Sequence, residues 1–560
     1  MIEVPLTGLL AFVALLALAT AAGTQVARRI PLADDFRSRA MLAALGAAFA
    51  PFLLALAGVL ALGALPGASH TTHYVATTGL LAALTALVWK WLPARQPPVQ
   101  PHTGRDPIAS VLLALIVAFA ALLLVHATAI PLVQSDALEY ATAGRWMYQV
   151  RSLAAYPPLD PVNDPSGFYG PWTHPPLYAA LIYLANVCQG GADSPGLMRL
   201  LSPWALLVAA AVVYALGALR SRLMGLTAAL FLIGTPTLFL GADSAQLDSF
   251  TVLGLTVVLA GCVCLQSERP AGAATLGLLV GAAMWAHSQS VLVLPTALFA
   301  VAAMRGHRDW CGTLRALALI TGGALVAGAW PYLRNFQLSG ALISDNPAVY
   351  ALAQLDWEGY FRSERDLGSA ASRLLYGVLK GWTTLDSFAL SFWFMTLGVA
   401  LMAWRRVRDG LSARGPVVAR VENAALAILV CYLGGVVVST GAGIDLMIRN
   451  ERYFMIIMPC VAVLAATGVH ELGTRGRVRV ATSVALIAMF GAEVPVLFAY
   501  RLSRVELSMR DLTGSMATKL DRLAPLGSIR VIRDMSEPAN HGTVLTFKPA
   551  DMYYARHKMV

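Results

Sequence analysis

The chain has 560 residues, of which 58% are hydrophobic and only 13% are charged, and its mean hydropathy is +0.65. Soluble proteins usually carry about a quarter charged residues. The apolar residues here also come in blocks of roughly 20, the length that crosses the hydrocarbon core of a bilayer. This composition excludes a soluble globular protein and predicts an all-α polytopic membrane protein.

The formal net charge of +10 would be compatible with nucleic-acid binding in a soluble protein. Here, however, Lys and Arg lie mainly in short loops between the apolar blocks, which is the positive-inside bias of membrane proteins. No nucleic-acid partner is therefore expected, whereas membrane lipids are. The six cysteines form no CxxC pair, so the sequence indicates neither a disulfide framework nor a zinc site.

Fourteen apolar blocks are candidate transmembrane helices. A further block at 175–187 has too few residues to cross a bilayer and is predicted to be a juxtamembrane helix at the interface. The fourteen candidate spans fall at residues 5–27, 41–64, 75–92, 108–132, 197–217, 223–241, 248–266, 271–286, 289–304, 313–332, 386–404, 421–440, 453–470 and 479–499.

The charge of the loops predicts the direction in which these spans cross the membrane, provided that the segment 175–187 does not itself cross it. One set of alternate loops then holds the basic residues and is cytoplasmic by the positive-inside rule. This set comprises the loops around residues 28–39, 90–105, 220–222, 269, 305–315, 405–420 and 475–479. The short opposite loops at 65–74, 242–247 and 287–288 have no Lys or Arg. The N-terminus and the large loops 133–196 and 333–385 are therefore predicted to lie outside the cytoplasm.

Three regions follow along the chain. Residues 1–104 hold three N-terminal spans and a Pro-rich linker, and residues 105–500 hold the transmembrane core with its two large outer loops. Residues 501–560 combine a polar helical stretch with the strand-like runs "SIRVIR" and "TVLTF", which predicts a small extracytoplasmic α/β tail. The alanine- and arginine-rich, lysine-poor composition is typical of a GC-rich bacterial source, so we expect a multi-pass protein of a bacterial inner (plasma) membrane.

Unusual polar residues gather in the predicted outer loops, in "SDALEY", "THPPLYAAL", "GADSAQLDSF", "WPYLRNF" and "DLMIRNERYF". The candidate site residues are Asp136, Glu139, Tyr140, His174, Asp243, Asp248, Arg334, Asn335, Arg449, Arg452 and Tyr453. A carboxylate can orient and deprotonate a hydroxyl, and a guanidinium binds phosphate bidentately at any working pH. This combination favours a phosphate-bearing lipid substrate that reacts with an acceptor outside the cell.

Structural roles are the alternative for several of these residues. Asp248 could cap the N-terminus of the helix that follows it, and Arg449 and Arg452 could be interfacial anchors. Tyr140 could belong to an aromatic belt. Asp136 differs from them, because an acid at the end of an apolar run is a functional candidate by default.

These segments resemble those of the C-type glycosyltransferases that use polyprenyl-phosphate sugars, particularly the protein O-mannosyltransferase and lipid A aminoarabinose transferase branch. That family has an acid at the end of its first core span and a tyrosine four residues later, similar to Asp136 and Tyr140 in "DALEYATAGRWM". A second acid usually follows the first directly, whereas Ala137 stands there in this chain and Glu139 comes later.

Four further segments carry the resemblance, which spans roughly residues 108–470. "HPPLYAAL" resembles the start of the family's juxtamembrane helix, and "SAQLDSFTVL" its second outer acid, which would be Asp248 rather than Asp243. "WPYLRNFQLSGALISDNP" is similar to its PW–RN–G–P segment, and "ERYFMIIMP" to its late RY–P motif. Three additional spans precede the matching region.

The resemblance implies a bundle of about 14 transmembrane helices with extracytoplasmic juxtamembrane helices, and inverting glycosyl transfer on the extracytoplasmic face. Asp136 would be the general base on a hydroxyl of a lipid, cell-envelope polysaccharide or protein, and a polyprenyl-phosphate sugar would be the donor. Residues implied to position donor and acceptor are Glu139, Tyr140, His174, Asp243 and Asp248. Residues implied to bind the lipid phosphate are Arg334, Asn335, Arg449, Arg452 and Tyr453. No cofactor is established by this pattern, and the need for a divalent metal stays open.

Two other functions remain open at this point. An O-antigen ligase or polymerase-type enzyme would use a diphosphate lipid and place its key Arg and His in a late loop. A flippase or transporter for lipid-linked sugars would show inverted repeats and polar breaks within its spans.

Overall fold

Helices form at all of the predicted apolar blocks. The computed structural model of the chain describes residues 4–36, 38–91, 106–132, 134–156, 174–192, 194–305, 309–340, 342, 391–409, 417–441, 451–472, 476–505, 507–515 and 518–519. Across these ranges there are 18 α-helices and no β-strand, with one isolated antiparallel bridge between Leu32 and Leu265. The two strand-like runs of the C-terminal tail, residues 157–173 of the first large outer loop and most of the second loop lie outside the described residues.

The first nine helices are α1 (Leu6–Ala27), α2 (Arg39–Ala64), α3 (His70–Trp91), α4 (Pro107–Ala129), α5 (Ser135–Val150), α6 (Leu177–Gln189), α7 (Leu201–Ala218), α8 (Arg222–Ile233) and α9 (Pro236–Asp243). The other nine are α10 (Asp248–Cys264), α11 (Pro270–Ala283), α12 (Val293–Arg305), α13 (Trp310–Gly328), α14 (Trp330–Ser339), α15 (Ser391–Asp409), α16 (Val417–Gly441), α17 (Met458–Leu472) and α18 (Gly476–Arg504).

The expected all-α membrane architecture is confirmed, but the count of 14 spans is not. By length and composition, ten helical segments of the described residues can cross a membrane, and an eleventh exists if the pair α8–α9, bent by 62°, is one span. Helices α10 and α11 are short, with 17 and 14 residues, and α15 ends in the charged sequence RRVRD. Pro236 follows the last residues of α8 and begins α9, which explains the bend because a proline cannot continue the preceding helical hydrogen bonds.

Small residues set the closest helix contacts, as expected where lipid offers no hydrophobic drive for helix association. Helix α11 packs along α13 through Gly281 and Gly328. A Cβ atom on Gly281 would lie only 2.6 Å from the carbonyl oxygen of Ala324. Glycine is therefore required there by the approach of the neighbouring backbone.

Helix α6 is shorter than a membrane span, as predicted, and it is packed among other helices. Nearly all of its residues are buried, because α1, α2, α3 and α5 pack around it. His73 of α3 hydrogen-bonds with the hydroxyl of Tyr183 in α6 at 2.5 Å, and His70 stacks on Tyr148 of α5 with ring centroids 3.8 Å apart. The three N-terminal helices thus make α6 a core element.

Helix α17 connects two polar clusters at opposite ends of the bundle. Arg452 lies in the 3₁₀ turn Glu451–Ile457 just before α17, and Glu471 lies near its last residue. At the first end, called here the Arg452 end, the guanidinium contacts Asp136 and Asp248. The Glu471 end is roughly 30 Å away, at 1.5 Å per helical residue.

Ion pairs hold the Glu471 end together. Arg220 lies 3.1 Å from Glu471 and 3.5 Å from the fully buried Glu422, and Arg405 also pairs with Glu471. Both arginines belong to loops that the charge pattern predicts to be cytoplasmic. The acids of the Arg452 end belong to the opposite set of loops, so the two sets lie at different ends of α17.

The substitution Glu422→Ala should lower the free energy of unfolding by about 2 kcal/mol, because it removes a buried partner of Arg220 while leaving the guanidinium in place. The matched change at an exposed acid, Glu268→Ala, should alter it by less than about 0.5 kcal/mol. Unfolding of the two variants in the same detergent measures both effects. Equal stability of the two variants would show that the Glu422 ion pair contributes nothing.

Candidate active site

Arg452 joins two carboxylates that are far apart in the sequence. One terminal nitrogen of its guanidinium contacts Asp136, and the other donates to Asp248 at 2.8 Å. The side chain of Asp136 is 35% exposed and that of Asp248 only 10%. The more accessible of the two acids is therefore Asp136.

Both acids lie at helix N-termini. Asp136 is in the first turn of α5, and Asp248 is the first residue of α10. The N-cap of α10 is Leu247 and no side chain caps this helix, so Asp248 does not have the structural capping role that the sequence allowed. Negative charge at a helix N-terminus is favoured by the helix dipole, so α5 and α10 both stabilise these carboxylates.

Rings line the site beside the acids. Tyr140 meets His174 and Tyr178 edge to face, with centroid distances of 5.7 and 5.6 Å. His174 lies 4.4 Å from the ring of His287, and its Nδ1 is 3.2 Å from the Ser288 hydroxyl. Four of the predicted residues, Asp136, Asp248, Tyr140 and His174, are thus brought into one region with Arg452.

These rings and the second acid of α5 are neutral near pH 7. Burial, together with the neighbouring Asp136 carboxylate, raises the pKa of Glu139 to about 8. Burial lowers the pKa of His174 well below its ordinary value, and lowers that of His287 to about 3, with Arg452 adding to the effect on His287. The pKa of the Tyr140 phenol is raised by burial and by Asp136. Among the described residues, these neutral groups thus surround the guanidinium of Arg452 and the two carboxylates that it joins.

The backbone around Arg452 is fixed by two side chains. The carbonyl oxygen of Tyr453 accepts hydrogen bonds from the Tyr432 hydroxyl at 2.5 Å and from Nε2 of Gln289 at 2.8 Å. Gln289 also donates to the Tyr432 hydroxyl at 2.5 Å. Helix α16 and the segment before α12 thus position the 3₁₀ turn that presents the guanidinium.

Asp243 belongs to a different, fully buried cluster. Its carboxylate lies 2.9 Å from Nδ1 of His126 and 3.4 Å from Nε of Arg501, and the Ser244 hydroxyl donates to it at 2.8 Å. The carbonyl of His126 also accepts a hydrogen bond from Arg199 at 3.1 Å. These contacts join α4, α9 and α18, so Asp243 has partners different from those of the acids bound by Arg452.

The predicted phosphate-binding residues of α14 also have other partners. Arg334 donates to the backbone carbonyls of Tyr156 at 2.8 Å and Leu153 at 3.0 Å. Asn335 is buried, and its amide nitrogen lies 3.4 Å from the carbonyl oxygen of Leu342. Arg449, the remaining predicted residue, lies outside the described residues.

Several residues of the site were not among those predicted. His287, Ser288 and Gln289 come from the short polar loop "AHSQS", and Tyr178 comes from α6. The loop had one usable signal, since a histidine in a short predicted outer loop lies at the same end of the bundle as the acids. Tyr178 gave no such signal, because it stands in an apolar run where aromatic residues are common.

No metal-binding group is apparent in the part of the chain that the structure describes: nowhere there do three or more His, Cys, Asp or Glu side chains converge on a common point.

Comparison with protein-family models found no match, and neither did comparison with curated proteins. Among solved structures, the chain is similar to the oligosaccharyltransferase of Archaeoglobus fulgidus in its complex with Zn and sulfate, with a TM-score of 0.51 and 15% identity. The match covers 80% of this chain and 62% of that one, so the chain spans less than two thirds of the oligosaccharyltransferase. The chain has a C-type glycosyltransferase fold.

Two structures of ArnT from Cupriavidus metallidurans are also similar. The structure bound to undecaprenyl phosphate has a TM-score of 0.48 at 15% identity, and the apo structure has 0.46 at 16%. Both matches cover 80% of this chain and 85% of ArnT. The C-type glycosyltransferase fold expected from the sequence motifs is confirmed by the oligosaccharyltransferase match. At 15% identity this match shows the fold only, so the reaction has to be inferred from the residues of the site.

The raised pKa of Glu139 predicts a pH-dependent stability. Between about 4.5 and about 8 this acid is protonated in the native state and ionised in the unfolded one, so stability falls as pH rises through that window. The slope is at most about 1.4 kcal/mol per pH unit. Glu139→Gln, which does not titrate, should gain stability relative to the natural protein from pH 5 to pH 8. Thermal unfolding in detergent at several pH values measures this difference.

Glu268→Gln, the same change at an exposed position, is the matched control and should follow the natural protein at every pH. A difference between Glu139→Gln and the natural protein that stays constant from pH 5 to pH 8 would contradict the assignment of a neutral Glu139.

Proposed function

We propose that the protein is an integral-membrane inverting glycosyltransferase that moves a sugar from a polyprenyl-phosphate donor to a hydroxyl acceptor. The observation that carries the proposal is the joint binding of Asp136 and Asp248 by Arg452 at one end of the bundle. A base and a phosphate ligand are the two groups that this reaction needs beside each other. The C-type glycosyltransferase fold supports the same class of reaction.

Asp136 is the proposed general base. The acceptor hydroxyl gives its proton to this carboxylate while its oxygen attacks the anomeric carbon, and the bond from that carbon to the lipid-phosphate oxygen breaks. The lipid phosphate leaves with the bonding electrons, and inversion at carbon follows from the single displacement. The 35% exposure of Asp136 makes it the acid that an acceptor can reach, whereas Asp248 is more enclosed.

Arg452 is the proposed phosphate ligand. A guanidinium presents five N–H donors in a planar fork that matches phosphate, and Arg452 holds this fork beside the carboxylates of Asp136 and Asp248. The N-termini of α5 and α10 add positive potential at the same place, where a leaving phosphate gains charge. Tyr140 and His174, neutral and adjacent, are suited to donate hydrogen bonds to uncharged sugar hydroxyls.

The other predicted residues have partners or positions of their own. Arg334 would have to exchange the carbonyls of Tyr156 and Leu153 for a phosphate. It is nonetheless linked to the site, because Tyr332 of the same helix donates to the Met284 carbonyl at 2.9 Å, close to the His287 loop. For Arg449 the proposal rests on its place three residues before Arg452, and for Glu139 and Tyr453 on their neighbours in sequence.

We propose that the Arg452 end faces the periplasm or other extracytoplasmic space of a bacterial inner membrane. The support is the distribution of charge, since Arg220 and Arg405, from two of the arginine-rich loops, lie at the Glu471 end. In this orientation residues 105–500 are the catalytic core, residues 1–104 an added three-helix unit, and residues 501–560 an extracytoplasmic tail.

A site at the helix ends also distinguishes this proposal from a flippase. Transporters of this kind bind their substrate near the middle of the bilayer, often where helices break. Arg452, Asp136 and Asp248 instead lie where α17, α5 and α10 begin.

Asp136→Asn should reduce glycosyl transfer at least about 100-fold, because general-base catalysis contributes about 10²–10⁴ in rate. Binding of the lipid donor should persist. The control is Asp106→Asn, which makes the same change at the N-cap of α4, where asparagine caps as well as aspartate. Transfer of labelled sugar from a polyprenyl-phosphate donor measures both variants, and full activity of Asp136→Asn would remove the proposed base from the mechanism.

The orientation is testable with the exposed Cys311, which stands at the start of α13 beside the arginine-rich loop. A membrane-impermeant maleimide should label it only after the membrane is permeabilised. In a Cys311→Ser background, a cysteine placed by Met509→Cys should react in intact spheroplasts. Met509 is exposed and follows the last residue of α18, whereas the first residue of this helix comes shortly after Glu471. The reverse labelling pattern would place the site on the cytoplasmic face.

A further inference from the structure

The turn between α9 and α10 has a backbone conformation that needs support. Ala245, in this turn, has φ +56°, a left-handed conformation that is unfavourable for a residue with a Cβ atom. Asp248 follows three residues later as the first residue of α10. The position of this acid relative to Arg452 therefore depends on what holds the turn.

Two buried hydroxyls hold it. Tyr178 of α6 donates to the carbonyl oxygen of Ala245 at 2.5 Å, and Ser202 of α7 donates to that of Gln246 at 2.6 Å. The two hydroxyls are also 3.2 Å apart. Buried hydrogen bonds to a strained backbone are effective because the alternative is an unpaired carbonyl in a dry environment.

The ring of Tyr178 contacts both acid-bearing helices. It meets Tyr140, one turn after Asp136 in α5, at a centroid distance of 5.6 Å. It lies 5.3 Å from Phe250, two residues after Asp248 in α10. A single side chain thus touches the two helices whose N-terminal acids Arg452 joins.

We propose that Tyr178 is a positioning residue, which sets the place of Asp248 relative to Asp136 and Arg452 through its hydroxyl on the Ala245 turn. This inference rests on the proposed function in so far as it concerns turnover. The hydroxyl donates to the backbone of the turn, so its loss should change the rate of the chemical step more than the binding of the donor.

Helix α6 offers a matched control. Tyr183, five residues after Tyr178, is equally buried, and its hydroxyl is also hydrogen-bonded, to His73 at 2.5 Å. Tyr178→Phe and Tyr183→Phe therefore remove the same atom from the same helix. We expect Tyr178→Phe to lower kcat about 10-fold with KM for the polyprenyl-phosphate donor within about 3-fold of the natural value. Tyr183→Phe should leave both within about 2-fold.

A second measurement does not depend on activity. In unfolding experiments, Tyr178→Phe and Asp248→Asn should be non-additive, because the hydroxyl acts on the turn that carries this acid. Tyr183→Phe and Asp248→Asn should be additive. If the chain proved to transfer no sugar, the proposed function would fail, yet the coupling of Tyr178 to Asp248 would still be measured.

Two results would overturn the inference. One is additivity of Tyr178→Phe with Asp248→Asn, which would show that the hydroxyl does not act on this acid. The other is a Tyr178→Phe variant of an active enzyme whose kcat equals that of Tyr183→Phe. The variant Ser202→Ala compares the two hydroxyls, which are 3.2 Å apart. If it keeps most of the kcat, Tyr178 is the main support of the turn. If it loses as much kcat as Tyr178→Phe, the two hydroxyls support the turn together.

Discussion

The contact of one guanidinium with two carboxylates organises the site. Arg452 is separated from Asp136 by 316 residues and from Asp248 by 204, so three distant segments must meet for the pairs to form. Charges that are largely removed from water are stable only with partners, and the side chains of Arg452 and Asp248 are mostly enclosed. The Arg452 contact therefore specifies how the N-termini of α5 and α10 meet the start of α17.

The charge balance of the site bears on what it can bind. One guanidinium and two carboxylates sum to one negative charge, and the surrounding His174, His287 and Glu139 are neutral near pH 7 because burial opposes their ionisation. A bound phosphate thus needs positive charge beyond Arg452. Helix N-termini at α5 and α10 supply part of it, and the proposed roles of Arg334 and Arg449 would supply the rest.

The sequence predicted more of the fold than of the site. The length of the apolar blocks was enough to locate the helices, because a bilayer requires spans of about 20 residues. Block length could not show that Pro236 interrupts one block or that α10 and α11 are short. Asp136, Asp248 and Arg452 were found because charged residues beside apolar runs are conspicuous. Asp243 and Asp248 were both candidates in the sequence and are five residues apart. In the structure, however, Asp243 contacts His126, whereas Asp248 contacts Arg452. Tyr178 could not be predicted as a site residue, since its proposed role depends on a tertiary hydrogen bond to the carbonyl oxygen of Ala245.

A structure with polyprenyl phosphate bound is the decisive measurement. We expect the phosphate group within hydrogen-bonding distance of Arg452, beside Asp136 and the N-termini of α5 and α10, with the lipid chain leaving between helices at that end. A phosphate bound instead at the other end, beside Arg220 and Arg405, would contradict it and would favour a lipid-linked sugar flippase.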